Sequence, residues 1–144
     1  MTSADWMVLG IGVAMLAFFG AFHLWGLRVL RWVKPEQERR PHLSVLISFW
    51  GVGILHLIEI AFGACVFAFV DQLHGVGGLG WTEPSAANYL YLAGTSFATL
   101  GYTQIEASGA IRLLIMLQAL TGFMLITWSA TFIYQIWNEN FRDS

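Results

Sequence analysis

The sequence predicts an all-α integral membrane protein with three transmembrane helices and one shorter helix that enters the membrane and returns. Three observations predict it. Of 144 residues, 57% are apolar and 11% charged, and mean hydropathy is +0.64, whereas a soluble domain is about half apolar and about a quarter charged. Three charge-poor runs each exceed the roughly 20 residues that one helical bilayer crossing takes. A fourth apolar run is only about half that length.

The first span runs from Trp6 to Leu27, with no charged residue and only His23 inside it, and Asp5 and Arg28 mark its ends. It is too long for the apolar part of a signal peptide, and its basic residues follow the run rather than precede it. The second runs from Leu43 to Val70 and carries His56 and Glu59 near its middle. The third runs from Ala110 to Trp137, charge-free from Leu113 to Asn138. Five of the seven basic residues (Arg28, Arg31, Lys34, Arg39, Arg40) lie between the first two spans. By the positive-inside rule this connection is cytoplasmic, the N-terminus outside and the C-terminus inside. Trp6 and Trp81 on one side, with Trp32 and Trp137 on the other, are placed as interfacial anchors.

The second connection opens with a Gly-rich stretch, His74 to Gly80, read as a flexible turret. It then turns apolar from Tyr89 to Phe97. That piece is too short to span and too apolar for a solvent loop, which predicts a re-entrant helix. Ser85 or Asn88 is the candidate cap at its start. Thr99-Leu100-Gly101-Tyr102-Thr103 follows. Irregular backbone at membrane depth is tolerated only where it is buried or lines water, so these carbonyls need a use. Four such strands around an axis supply rings of backbone oxygens, with the Thr99 hydroxyl innermost, that replace the hydration shell of a cation. The carboxyl end of the short helix points its negative dipole at the ion.

In these residues the chain resembles the potassium channel superfamily, in particular its small bacterial members with one pore loop per chain. The resemblance covers Tyr89 to Trp137. The family's filter, Thr-Val/Ile/Leu-Gly-Tyr/Phe-Gly followed by Asp, maps onto Thr99, Leu100, Gly101 and Tyr102, which the resemblance makes K+ sites. Thr103 and Gln104 stand where the family has Gly and Asp. A β-branched residue in place of Gly reshapes the outermost ion site, so non-selective monovalent cation conduction stands as the alternative to potassium selectivity. One pore loop cannot surround an axis, and the family implies a homotetramer in a prokaryotic inner membrane. Arg112 matches the start of the family's inner helix and Gly122 its hinge. A hinge there puts Phe123, Ile126, Thr127, Ala130 and Tyr134 on one helical face, the candidate cavity; the same spacing also describes packing against the second span. The chain divides into an outer helix with its basic connection, residues 1–42, and a pore module, residues 43–144.

Other features are weighed beside the pore. The intramembrane pair His56 and Glu59 is expensive and marks either function or a buried structural hydrogen bond, with Tyr91, Thr95 and Ser96 as candidate partners of Glu59. Arg28, Arg31 and Lys34 recur every third residue as gating charges do, but their place at the cytoplasmic end of a span makes them snorkelling charges. Gly10, Ala14, Ala17 and Ala21 form a small-residue stripe for packing, in the same or a neighbouring chain. His23 and His56 lie in different spans and raise a reading of another class, a haem-bearing subunit, against which their predicted depths do not match. A non-conducting scaffold is the third reading. Two domains, an ordinary nucleotide-binding module and a two-repeat transporter do not fit this length. Cys65 has no intrachain partner. A net charge of -2 without a basic tail gives no footing for nucleic acid. No Gly-x-Ser-x-Gly, His-Glu-x-x-His or Gly-Lys-Thr motif occurs, so neither catalysis nor a resident cofactor is expected.

Overall fold

The computed structural model of the protein describes residues 1–33, 41–101 and 105–141. They form four helices, α1 (Ser3–Val33), α2 (Pro41–Asp71), α3 (Ala86–Phe97) and α4 (Ile111–Phe141). α1, α2 and α4 have 31 residues each, are about 46 Å long, and are long and apolar enough to cross a membrane. Each continues past the apolar run read from the sequence, α1 by six residues through Arg28 and Arg31. α3 has 12 residues and at about 18 Å is too short to cross. α1 packs on α4 and α2, and α3 lies against α2 and α4.

Two apolar clusters flank a buried polar group in the interior. The larger apolar cluster holds Phe19, Phe67, Leu92, Phe97, Ile111 and Leu114. The smaller holds Leu27, Val52, Leu55, Phe132 and Ile136. On each long helix the polar residue falls between them in sequence: His23 between Phe19 and Leu27, Glu59 between Leu55 and Phe67, Ser129 between Leu125 and Phe132. Lipid gives apolar faces little reason to meet, so helices in a membrane associate by close fit at small residues. Gly12 lies under Leu117 and Gly26 under Leu55.

The predicted small-residue stripe is not the packed face within the chain. Gly10, Ala14, Ala17 and Ala21 are exposed, and α1 buries Val8, Gly12, Met15, Phe19, His23 and Leu27 instead. The larger side chains at three-and-four spacing reach α4 and set the buried face. At the other end of α1, Arg31 pairs with Glu139 of α4 at 2.6 Å, which holds this arginine as a surface partner rather than as a gating charge. Lys34, Arg39 and Arg40 lie outside the described residues.

The Gly-rich connection is tied down, contrary to the flexible turret expected. Val76 and Leu79 are buried in the larger cluster. Gly78 and Ser108 exchange two backbone hydrogen bonds, at 3.1 and 2.9 Å, and the Ile111 amide donates to the Val76 carbonyl at 3.0 Å. The connection is thus pinned to the strand of chain that leads into α4. Trp81 is half-buried against Tyr89, edge to face at 5.9 Å.

Candidate functional site

α3 begins at Ser85, one of the two candidate caps. Its hydroxyl accepts from the Asn88 amide at 3.2 Å, satisfying one of the amides that a helix start leaves unpaired. The Asn88 side chain instead donates to the Glu83 carbonyl. One turn on, the Tyr89 hydroxyl donates to Asp71 Oδ2 at 2.7 Å, and Asp71 Oδ1 accepts from the Leu79 amide at 3.2 Å. The last residue of α2 therefore holds both the Gly-rich connection and the start of α3. Burial, and then the hydrogen bond and charge of Asp71, push the Tyr89 phenol up to about 12.

α3 ends in a closed turn. The Leu100 amide donates to the Thr95 carbonyl at 3.0 Å and the Thr99 amide to the Ser96 carbonyl at 2.9 Å, the paired bonds of a Schellman motif. That motif needs left-handed backbone at Thr99, and its φ is 55°. Glycine is the usual residue there, and a β-branched side chain is strained. Gly101 is also left-handed, at φ 64°, where a missing Cβ removes the penalty. Thr99, Leu100 and Gly101 are all exposed on the single chain. Tyr102, Thr103 and Gln104 lie outside the described residues.

α4 supports this turn from behind. A Cβ at Gly122 would overlap the backbone of Phe97, the last residue of α3, so α4 touches the end of α3 through main chain. Phe123, Ile126, Thr127, Ala130 and Tyr134 are exposed. Three of them, Ile126, Ala130 and Tyr134, also border a groove of about 610 Å³ whose other wall is Phe49, Val52, Gly53 and His56 of α2. Arg112, in the first turn of α4, donates from Nε to the Gly109 carbonyl at 3.3 Å.

The polar cluster is larger than the pair in the sequence reading. Glu59 Oε1 lies 2.8 Å from His23 Nδ1 and Glu59 Oε2 lies 3.0 Å from His56 Nδ1. His23 Nε2 in turn lies 3.1 Å from the Ser129 hydroxyl. The cluster joins α1, α2 and α4, with His23, Glu59 and Ser129 buried. It reaches α3 through a ring contact, since His56 stands edge to face on Phe97 at 5.3 Å. The expected hydrogen bond from Glu59 to α3 is not the arrangement found: both carboxylate oxygens face histidines, and the Thr95 hydroxyl donates to the Tyr91 and Leu92 carbonyls of its own helix. The reason is reach, because His56 lies one turn before Glu59 on the same face and His23 projects from α1 beside it.

His23 and His56 do meet, although their predicted depths differ. Their rings stack at 5.3 Å, 19° from parallel. This does not fit haem, for axial imidazoles must point at one iron from opposite faces of the macrocycle, whereas both Nδ1 atoms here point at one carboxylate. Sequence reading missed Ser129 and Asp71. A serine on the face of α4 turned away from the predicted cavity, and an acid at the end of a span four residues after Phe67, were the available signals.

Residues 54–138, more than half of the chain, match a family model described as an ion channel. The match takes in most of α2, all of α3 and nearly all of α4, and leaves out α1. No curated protein and no solved structure matches the chain. With three helices able to cross a membrane and a family match over its last three, the chain is a multi-pass membrane protein that belongs to the two-transmembrane type of ion channel, in the potassium channel superfamily.

Proposed function

We propose that four copies of the chain surround one potassium-selective pore, with α3 as a re-entrant pore helix, residues 99–103 as the filter and α4 lining the cavity. The reading is carried by the backbone at the end of α3. Thr99, a β-branched residue, is held left-handed beside left-handed Gly101, inside the family match. Strain of this kind persists where the surroundings over-determine it, and it gathers at functional sites. The carbonyls of Thr99, Leu100, Gly101 and Tyr102 replace water around K+, with the carboxyl end of α3 supplying negative potential. Thr103, in place of the family's Gly, reshapes the outermost ion site of that filter. K+ is the permeant ion rather than a resident cofactor. Phe123, Ile126, Thr127, Ala130 and Tyr134 face the axis, and Gly122 sets the contact with α3 from which the cavity face begins.

The basic connection favours an N-terminus outside and a C-terminus in the cytoplasm, and the resemblance to small bacterial channels favours a prokaryotic inner membrane.

Potassium efflux from proteoliposomes tests the reading, with Thr103→Gly alongside. Efflux that depends on the protein is expected, with Thr103→Gly at least as selective for potassium over sodium. Absence of cation flux from both proteins contradicts the channel; equal potassium and sodium flux contradicts only the selectivity and leaves a non-selective cation pore.

A further inference from the structure

We propose that His23, His56 and Glu59 bind a divalent transition-metal ion of the zinc type where α1, α2 and α4 meet. Each residue offers one ligand atom, and these atoms lie within 4.8 Å of one another. Two imidazole nitrogens and a carboxylate suit zinc and its first-row neighbours, and not the all-oxygen preference of calcium or magnesium. Burial separates this group from an ordinary surface cluster: the His23 and Glu59 side chains are fully buried and that of His56 is 16% exposed.

Charge points the same way. A carboxylate set between two apolar clusters is costly in a span unless a countercharge matches it. Among the described residues its partners are the two histidines, and no lysine or arginine pairs with it. A divalent cation supplies the missing countercharge. The outer contact of His23 is also that of a metal ligand. Ser129 holds Nε2 at 3.1 Å and so fixes the ring with Nδ1 turned to Glu59, as a hydrogen bond on the far nitrogen orients ligating histidines.

The present spacings of 2.8 and 3.0 Å are hydrogen-bond lengths. A tetrahedral ion with bonds of about 2.0 to 2.1 Å holds its ligand atoms about 3.3 Å apart. Loading therefore lengthens the two contacts to Glu59, which run to different carboxylate oxygens, and draws together the widest pair of a group that spans up to 4.8 Å. It also turns one ring, because parallel stacked imidazoles do not aim at a common point. His56 is the ring free to turn: it borders the groove between α2 and α4, while Ser129 restrains His23. The groove leaves His56 open on one side, where the fourth position of a tetrahedral ion stays free of protein ligands. Turning His56 withdraws it from Phe97 at the end of α3, so the ion acts on the filter. That consequence rests on the channel reading; the site does not.

The test uses the untagged full chain in lipid nanodiscs, with the exposed His42 and His74 changed to Gln to remove surface imidazoles. Equilibrium dialysis against zinc is expected to give one saturable zinc per chain. Glu59→Gln and His56→Gln lower the affinity by more than about tenfold, and Ser129→Ala by about tenfold. Cobalt in place of zinc gives the intense visible bands of a four-coordinate site, lost in His56→Gln. His56 is partly exposed, so this variant guards against reading a folding defect as a lost ligand. Absence of saturable zinc overturns the proposal, as does one zinc per chain that binds unchanged in both Glu59→Gln and His56→Gln. Binding is read without any current, so the metal site stands or falls independently of the channel reading.

Discussion

Thr99 and Gly122 are opposite cases of one side chain's cost. At Thr99 a Cβ is present where left-handed backbone, φ 55°, disfavours it by about 1 to 2 kcal/mol. Thr99→Gly is expected to raise the thermal midpoint of the protein and, on the proposed filter reading, to lower its preference for potassium over sodium, because it removes the hydroxyl proposed as the innermost ring. Differential scanning calorimetry and ion flux on the same preparation check the two effects. At Gly122 a Cβ is absent where one would overlap the Phe97 backbone. Gly122→Ala is expected to destabilise by about 1 to 3 kcal/mol, read as a lower midpoint. The sequence offers Gly122 as a hinge through the resemblance alone. Its close approach to Phe97 belongs to two helices at once, and the pattern along one helix does not contain it. The resemblance offers Thr99 as a filter residue through its neighbours, but its strain is set by the Schellman bonds that the Leu100 and Thr99 amides donate to the Thr95 and Ser96 carbonyls, which no motif states.

At the scale of elements, α3 is held at both ends by the helices around it: Asp71 of α2 at its start and the backbone of α4 at its finish. Tyr89→Phe removes the first restraint and is expected to speed hydrogen exchange of the first turn of α3 without altering its last. The same bond sets a pH dependence. The Tyr89 phenol is raised to about 12 from an ordinary value of about 10, so the folded state holds this proton more tightly than the unfolded one. The contribution is complete below about pH 10 and is lost as pH rises towards about 12. Wild type is therefore expected to lose stability more steeply than Tyr89→Phe across that window, as measured by thermal melts. The helices themselves are legible because three charge-poor runs have only one use. Depth is not, and His23 shows why. The apolar run ends at Leu27, but α1 continues to Val33 through residues whose charged heads reach out while their stems stay apolar. The end of the run therefore does not fix the level of His23 against its neighbours, and it meets Glu59. The Gly-rich connection is misread for a similar reason: composition records the freedom of its glycines and not the burial of Val76 and Leu79 between them.

The single chain leaves large apolar side chains such as Trp25, Phe49, Leu57 and Phe69 more than half exposed, a surface for lipid or for other copies and not for water. Thr99, Leu100 and Gly101 are exposed too, and one chain encloses no axis. A tetramer is therefore expected on native mass spectrometry, and a stable dimer or trimer contradicts a fourfold filter. The outer helix α1 lies outside the family match, which begins at residue 54, and the polar cluster ties it to the matched part, since His23 falls outside the match and His56, Glu59 and Ser129 fall inside it. The most direct test of potassium-selective conduction is the reversal potential of the purified protein in a planar bilayer, with potassium on one side and sodium on the other. A current that reverses far towards the potassium equilibrium potential is expected; reversal at zero, or no protein-dependent current, would contradict it.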